Sequence, residues 1–215
     1  MKVEIWSDVV CPWCYIGKRR FERALEQLRA GGMTEEVEVI WRSYQLDPTA
    51  PLENPGPSVD AYARKFGGQE MAEQIIGKVT AVAAGEGLDF RMDRALRANT
   101  VLAHRALHWA LETAGTSGQG ELKERLLKAY FTDGLDVSDV DVLAACAHDC
   151  GLDGVALAAW LATDAGKQEV VEDLRGAMDR EISAVPTFII NDRFLVPGAQ
   201  ETETFVNVLT KVLSR

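Results

Sequence analysis

The chain has 215 residues, 47% hydrophobic and 26% charged, enough to bury one substantial core with room for a second lobe. A formal net charge of −10 without any Lys/Arg block excludes the basic stripe that a phosphate backbone demands, so nucleic acid is not an expected partner. The apolar runs at 142–147 and 156–162 fall far short of the roughly 20 residues that span a bilayer, so no membrane partner is expected either.

The opening MKVEIWSDVV lacks the basic start, apolar middle and small-residue cleavage layout of a secretory signal, which makes the expected location cytoplasmic. Residues 2–7 alternate, with apolar Val3 and Ile5 between Lys2 and Glu4, and predict a strand. A helical pattern starts at Pro12, carries Tyr15, Ile16, Phe21, Leu25 and Leu28, and stops at Gly31-Gly32. Residues 37–44 (VEVIWRSY) predict a second strand. Asp47 to Pro57 holds four of the seven prolines and reads as a loop.

From 58 to about 180 the chain reads almost entirely as five or six helices, broken near Gly67-Gly68, Gly85 to Gly87, Gly115 to Gly120, Gly134 and Gly151 to Gly154. Strand patterns return at 187–190 and 194–196, with Asn191-Asp192 suited to a hairpin turn, and a helix over 201–213 closes the chain. The expectation is an α/β fold in two parts. Residues 1–57 and 181–215 form a discontinuous α/β domain, and 58–180 form a helical insertion.

Cys11-Pro12-Trp13-Cys14 sits where a strand feeds the first turn of a helix. There the unpaired N–H groups and the positive dipole end stabilise a thiolate on Cys11. Pro12 fits the first helical position, and Cys14, three residues on, reaches Cys11 across one turn. The helix terminus is expected to lower the Cys11 pKa, within a span of about 3.5 to 7.5 for such cysteines. Asp8 reads more simply as a solvated loop carboxylate than as a proton relay. Far along the chain, Pro186 opens the 187–190 strand, where a cis bond would turn the Val185 backbone outward.

The segments SDVVCPWCYIG (7–17), WRSYQLDP (41–48), NTVLAHRALHWA (99–110), AVPTF (184–188) and PGAQ (197–200) resemble the FrnE-like branch of the DsbA family. The resemblance spans most of the chain. It implies a thioredoxin-like fold with a large inserted helical domain, disulfide oxidoreductase or isomerase activity, and a cis-proline at Pro186. By it, Cys11 and Cys14 are the redox pair, Pro12, Trp13, Val185 and Pro186 face the substrate, and Asn99, His104 and Arg105 look toward the cleft as binding candidates. No cofactor is implied beyond the redox-active cysteines, with glutathione as a possible co-substrate. The implied partners are a disulfide- or thiol-containing protein or small molecule and a recycling thiol reductant or oxidant.

Cys146 and Cys150 lie four apart on a predicted helix, on a stripe with Val142, Leu143 and Ala147. Core packing is the simpler reading, and an accessory redox pair the sharper one. A zinc site from all four cysteines would need the insertion to fold back over the first helix, and His104 and His108 lack a third ligand, so no metal is expected. Among functions, thiol–disulfide exchange leads. The alternatives are a glutathione-dependent isomerase or transferase of the kappa-class or hydroxychromene-carboxylate type, whose members typically carry Ser where Cys11 stands, and a non-catalytic chaperone-like binding protein.

Overall fold

A computed structural model describes residues 1–214. Its elements run β1 (Lys2–Ser7), α1 (Pro12–Ala30), β2 (Glu38–Ser43), α2 (Ser58–Phe66), α3 (Gln69–Gly85), α4 (Val101–Lys128), a π-helical turn (Ala129–Asp133), α5 (Val140–Asp149), α6 (Gly154–Leu161), α7 (Lys167–Asp179), β3 (Thr187–Ile190), β4 (Phe194–Pro197) and α8 (Thr202–Leu213). The four strands form one sheet in the order β2-β1-β3-β4. β1 and β2 are parallel, while β3 runs antiparallel to both β1 and β4. This is a thioredoxin-like α/β fold with a large helical insertion between β2 and β3.

Alternation along β1 decides what covers each face of the sheet. Val3 and Ile5 pack with Phe21, Leu25, Phe188, Phe205 and Leu209, under α1 and α8. Phe188 lies 5.2 Å from Phe21 and 4.7 Å from Phe205, centroid to centroid, and such aromatic pairs contribute about 0.5–1.5 kcal/mol beyond burial. Glu4 and Trp6 point the other way, toward α7. There the Trp6 indole N–H donates to the Asp173 carbonyl at 3.0 Å, and the Asp173 carboxylate accepts from Ser43 N–H at 2.7 Å and from His108 Nε2 at 2.9 Å.

The outer edge of β2 is closed at Trp41 by a side chain of the insertion. Gln119 of α4 accepts from Trp41 N–H at 2.8 Å and donates to Trp41 C=O at 2.9 Å, satisfying backbone groups that an edge strand would otherwise offer to another chain.

The insertion does not sit apart from α1. Tyr15 and Ile16 belong to its core, with Tyr15 stacked on Phe90 at 5.9 Å and Phe90 on Phe131 at 4.4 Å. Glu124 of α4 takes Lys18, Arg19 and the Tyr15 hydroxyl, and Glu86 takes Arg20 and Arg23. The first helix is thus clamped between the sheet and the insertion.

Two sequence expectations change. Residues 88–100 are mostly irregular rather than helical, because they pair backbone to backbone with the proline-rich loop: Ser58 N–H donates to Ala95 C=O, and Arg97 N–H to Gly56 C=O. The break at 115–120 is narrower than expected. Gly115 alone leaves helical geometry (φ 68°, ψ −167°), and α4 resumes beyond it with Gly120 inside. The hairpin residues Asn191 and Asp192 adopt φ of 50° and 53°, as the tight turn between β3 and β4 requires.

Candidate active site

β1 delivers the chain into a turn at Asp8, and Cys11 becomes the extended N-cap of α1 (φ −90°, ψ 115°), with Pro12 in the first turn. The Cys14 N–H donates to the Cys11 carbonyl at 3.0 Å, which closes that turn and brings the two cysteines within 3.4 Å of each other. Both are free thiols. Cys11 is 3% exposed and Cys14 fully buried behind it, an asymmetry that gives the two sulfurs different access to anything outside.

Opposite Cys11 lies the loop before β3. The Val185–Pro186 peptide is cis, and the Cys11 thiol donates to the Val185 carbonyl at 3.6 Å. Thr187 Oγ1 closes this loop on Ala184 C=O at 2.8 Å, and Gly198 N–H holds Pro186 C=O at 2.7 Å. Gly17 of α1 faces the ring of Pro186 so closely that a Cβ there would stand 2.8 Å from the proline Cγ. Glycine at 17 is therefore what lets α1 and this loop approach.

Cys11, Pro12, Trp13 and Val185 line one wall of a cavity of about 760 Å³, and Tyr62, Phe66 and Tyr130 of the insertion line the other. Trp13 is 42% exposed at its edge. Two cations, Arg64 and Lys65, also reach it from α2, while Arg97 is held by Asp47. Burial and the nearby Cys11 sulfur push the Tyr62 phenol up to about 12, so it stays a neutral hydroxyl beside the thiol.

The two sulfurs titrate as a unit. The hydrogen bond with Cys14, burial and the charge of Cys14 hold the Cys11 proton well above the ordinary thiol range. For Cys14, burial acts upward, but the hydrogen bond from Cys11, the Lys123 ammonium, Ser7 and the Asp8 backbone together pull it down. The pair thus keeps its shared proton on Cys11, hydrogen-bonded to the Cys14 sulfur, and attack by Cys11 requires that proton to pass to Cys14. The expected lowering of Cys11 by the helix terminus alone is replaced by this coupled behaviour, because burial and a second sulfur outweigh the dipole.

Asp8 is not solvated: it is 0% exposed, accepts from Leu46 N–H at 2.8 Å and lies 3.3 Å from His104 Nε2. His104 Nε2 also stands 3.0 Å from the Tyr44 carbonyl, which can only accept, so that nitrogen carries a hydrogen. Asn99 is spent on the same loop. Its amide nitrogen donates to Pro48 and Ala50 carbonyls, and its oxygen accepts from Gln45 and from Val101 N–H. Asn99 and His104 therefore hold residues 44–50, which form part of the cavity wall, without lining it themselves. Arg105 points elsewhere, donating to Thr163 and Ala165 carbonyls and lying over Trp160.

Cys146 is buried in the insertion core and Cys150 caps the C-terminus of α5, half-buried. Burial pushes Cys146 up to about 11 and raises Cys150. Among the described residues no group of three or more His, Cys, Asp or Glu side chains is arranged to hold a metal ion.

Sequence reasoning missed Lys123, which is fully buried with Trp41 5.4 Å from its ammonium. A signal existed: position 123 lies three and four residues before Leu126 and Leu127 and four after Gln119, on the buried stripe of α4, although its neighbours are charged. Tyr62 and Tyr130 lay in segments with no motif to mark them.

The family described as DSBA-like thioredoxin domain matches residues 2–210. The crystal structure of a protein described as a probable DsbA oxidoreductase from Streptomyces coelicolor is 36% identical, with a TM-score of 0.89 over 100% of this chain and 91% of that one. An uncharacterised Bacillus subtilis protein, YwbO, is 29% identical over 97% of this chain and 95% of its own. The cytosolic disulfide reductase DsbM from Pseudomonas aeruginosa, solved with GSH, shares the fold at 16% identity, with a TM-score of 0.69 and all of both chains covered.

Proposed function

Because the chain belongs to the DSBA-like thioredoxin-domain family, we propose that it catalyses thiol–disulfide exchange, with Cys11 as the attacking sulfur and Cys14 as the resolving one. The observation that carries this reading is the asymmetric pair itself: Cys11 on the cavity wall facing Val185, and Cys14 sealed behind it. A substrate disulfide entering the cavity meets Cys11 first. The Cys11 thiolate attacks one substrate sulfur and expels the other, and Cys14 then attacks Cys11, forming the Cys11–Cys14 disulfide and releasing the remaining substrate sulfur as a thiolate. Running the same steps backwards oxidises a dithiol.

Val185, held beside Cys11 before Pro186, is the backbone on which an extended substrate segment pairs as an added strand, and Trp13 is the apolar surface beside it. Such pairing tolerates varied sequences. In this reading residues 1–57 and 181–215 form the redox domain of a FrnE-like protein, and 58–180 form the insertion that walls the substrate cavity. The redox pair needs no other cofactor, and the protein works in the cytoplasm. There a low-molecular-weight thiol, glutathione being one candidate given the likeness to DsbM, returns the pair to its reduced form.

The test is insulin reduction driven by dithiothreitol, comparing wild type, Cys11→Ser and Cys14→Ser. Catalysis above the dithiothreitol background by wild type, lost in Cys11→Ser, supports exchange. Equal inactivity of both sinks it and moves attention to glutathione-dependent isomerisation.

A further inference from the structure

The cavity in front of Cys11 differs in charge from the rest of the chain. The formal net charge is −10, yet the charged side chains that line the cavity are Arg64, Lys65 and Arg97 against Asp47 alone. Asp47 is already held by Arg97. Among the described residues neither Arg64 nor Lys65 has an ion-pair partner, so both cations of α2 are open to an anion from outside.

Ser58, Ala61, Tyr62 and Lys65 recur at three- and four-residue spacing on α2 and all line the cavity, so one stripe of that helix faces it. Lys65 Nζ lies 5.6 Å from the Phe66 ring centroid, and that ring lies 5.7 Å from the ring of Tyr62, which sets the cation directly beside an apolar wall. Ser58 Oγ, buried on the same stripe, has no hydrogen-bond partner in the protein and offers a second polar point. Trp13, Leu46 and Phe66 line the same cavity and are exposed, and apolar surface left uncovered around one opening marks a binding site.

We propose that the cavity takes a low-molecular-weight disulfide whose apolar body lies between Trp13 and Phe66 and whose carboxylate pairs with Lys65 and Arg64. The inference rests on Cys11 as the attacking sulfur and names the substrate class it meets. The volume of about 760 Å³ falls within the roughly 300–1,000 Å³ of small-molecule sites. Cys11, only 3% exposed, is open to a molecule that enters the cavity rather than to a disulfide held on a folded surface. In the exchange Cys11 loses its proton and bonds to one ligand sulfur, the ligand S–S bond breaks, and the other half leaves as a thiolate. Cys14 then displaces the bound half, so the ligand gains the two electrons that the pair gives up. Arg64 and Lys65 act on the carboxylate and not on the sulfurs, so they select acids without altering the exchange itself.

The experiment follows reduced protein reacting by stopped flow with two disulfides that release coloured thiols, in about 10 mM salt, where charges act over about 30 Å. Dithionitrobenzoate carries a carboxylate on each ring, and dithiodipyridine is uncharged. Arg64→Gln/Lys65→Gln, at two exposed positions whose replacement leaves the fold intact, is compared with wild type and with Arg175→Gln/Lys211→Gln. The latter removes the same charge from α7 and α8, away from the cavity. The expected result is a loss of about fivefold or more toward dithionitrobenzoate in the α2 variant alone, with dithiodipyridine within about twofold in all three proteins and the gap closing at about 0.5 M salt. Equal rates toward dithionitrobenzoate in the two variants, or an equal loss toward both disulfides, overturn the proposal. If wild type forms no adduct on Cys11 with either disulfide, the exchange reading fails, and the anion site is tested without it, by equilibrium dialysis of thionitrobenzoate against Cys11→Ser/Cys14→Ser protein. Affinity lowered about fivefold or more by adding Arg64→Gln/Lys65→Gln sustains the site; unchanged affinity, or no binding at all, overturns it.

Discussion

Two cysteine pairs, each spanning about one helical turn, sit at opposite helix ends. Cys11 and Cys14 open α1, with Cys11 as its N-cap, and Cys146 and Cys150 close α5, with Cys150 as its C-cap. An N-terminus presents N–H groups and a positive dipole end to a sulfur, and a C-terminus presents carbonyls and a negative one. The surroundings amplify that difference. The first pair has a cavity in front and a hydrogen bond between the sulfurs, which lowers Cys14 while Cys11 is raised. The second has apolar packing on Cys146 and the carboxylates of Asp149, Asp133 and Glu121 acting on its sulfurs, and both thiols are raised. Similar spacing leaves the two pairs in different surroundings, set by the helix end each occupies and by what faces it.

The largest effect that tests this contrast is on catalysis. Cys11→Ser is expected to lower insulin reduction at least about a thousandfold, while Cys146→Ser and Cys150→Ser stay within about twofold, and turbidity assays on the three variants measure it. Chemical reactivity comes next. Cys146 has its pKa near 11 and is sealed in the insertion core, whereas Cys11 lines the cavity and can pass its proton to Cys14, so iodoacetamide is expected to label Cys11 faster than Cys146 in peptide-resolved alkylation of the folded protein.

Most of the fold was legible because its signals are local. Alternation in 2–7, Pro12 before a helical stripe, the Asn191-Asp192 turn and glycines between helices each act through a few neighbouring residues. The turn that opens α1, with Cys11 as its N-cap and Pro12 behind it, was legible for the same reason. What was not legible depends on distant partners. Asp8 looks solvated until Leu46 and His104 close over it, Asn99 looks free until the 48–50 carbonyls arrive, and Lys123 looks like one of several surface charges in ELKERLLK until Trp41 and Cys14 are seen beside it. Residues 88–100 carry no local sign of the pairing with the proline-rich loop that keeps them irregular.

Packing away from the two sulfurs offers smaller effects. Asp173 anchors α7 to β2 through Ser43 and Arg42 and binds His108; burial works to raise its carboxyl, but these partners hold it below the usual range. A depressed folded value means that its contribution is complete above the unfolded carboxylate pKa near 3.9 and is lost as pH falls through the folded value. Asp173→Asn is therefore expected to cost about 2–4 kcal/mol at neutral pH and little in strong acid, by denaturant titration at several pH values. Gly17→Ala drives a methyl against Pro186 and is expected to cost about 1–3 kcal/mol and weaken turnover without touching either cysteine. Smallest of all, Cys150→Ser at its half-buried cap is expected to shift stability by about 0.5 kcal/mol or less.

The most direct test of the contrast is to trap a substrate in the act. Cys14→Ser protein, incubated with a disulfide-bonded protein substrate and mapped by mass spectrometry, is expected to carry the mixed disulfide on Cys11 with Cys146 and Cys150 unmodified. Adducts concentrated on Cys146 or Cys150, or none on Cys11 while the protein remains folded, would contradict it.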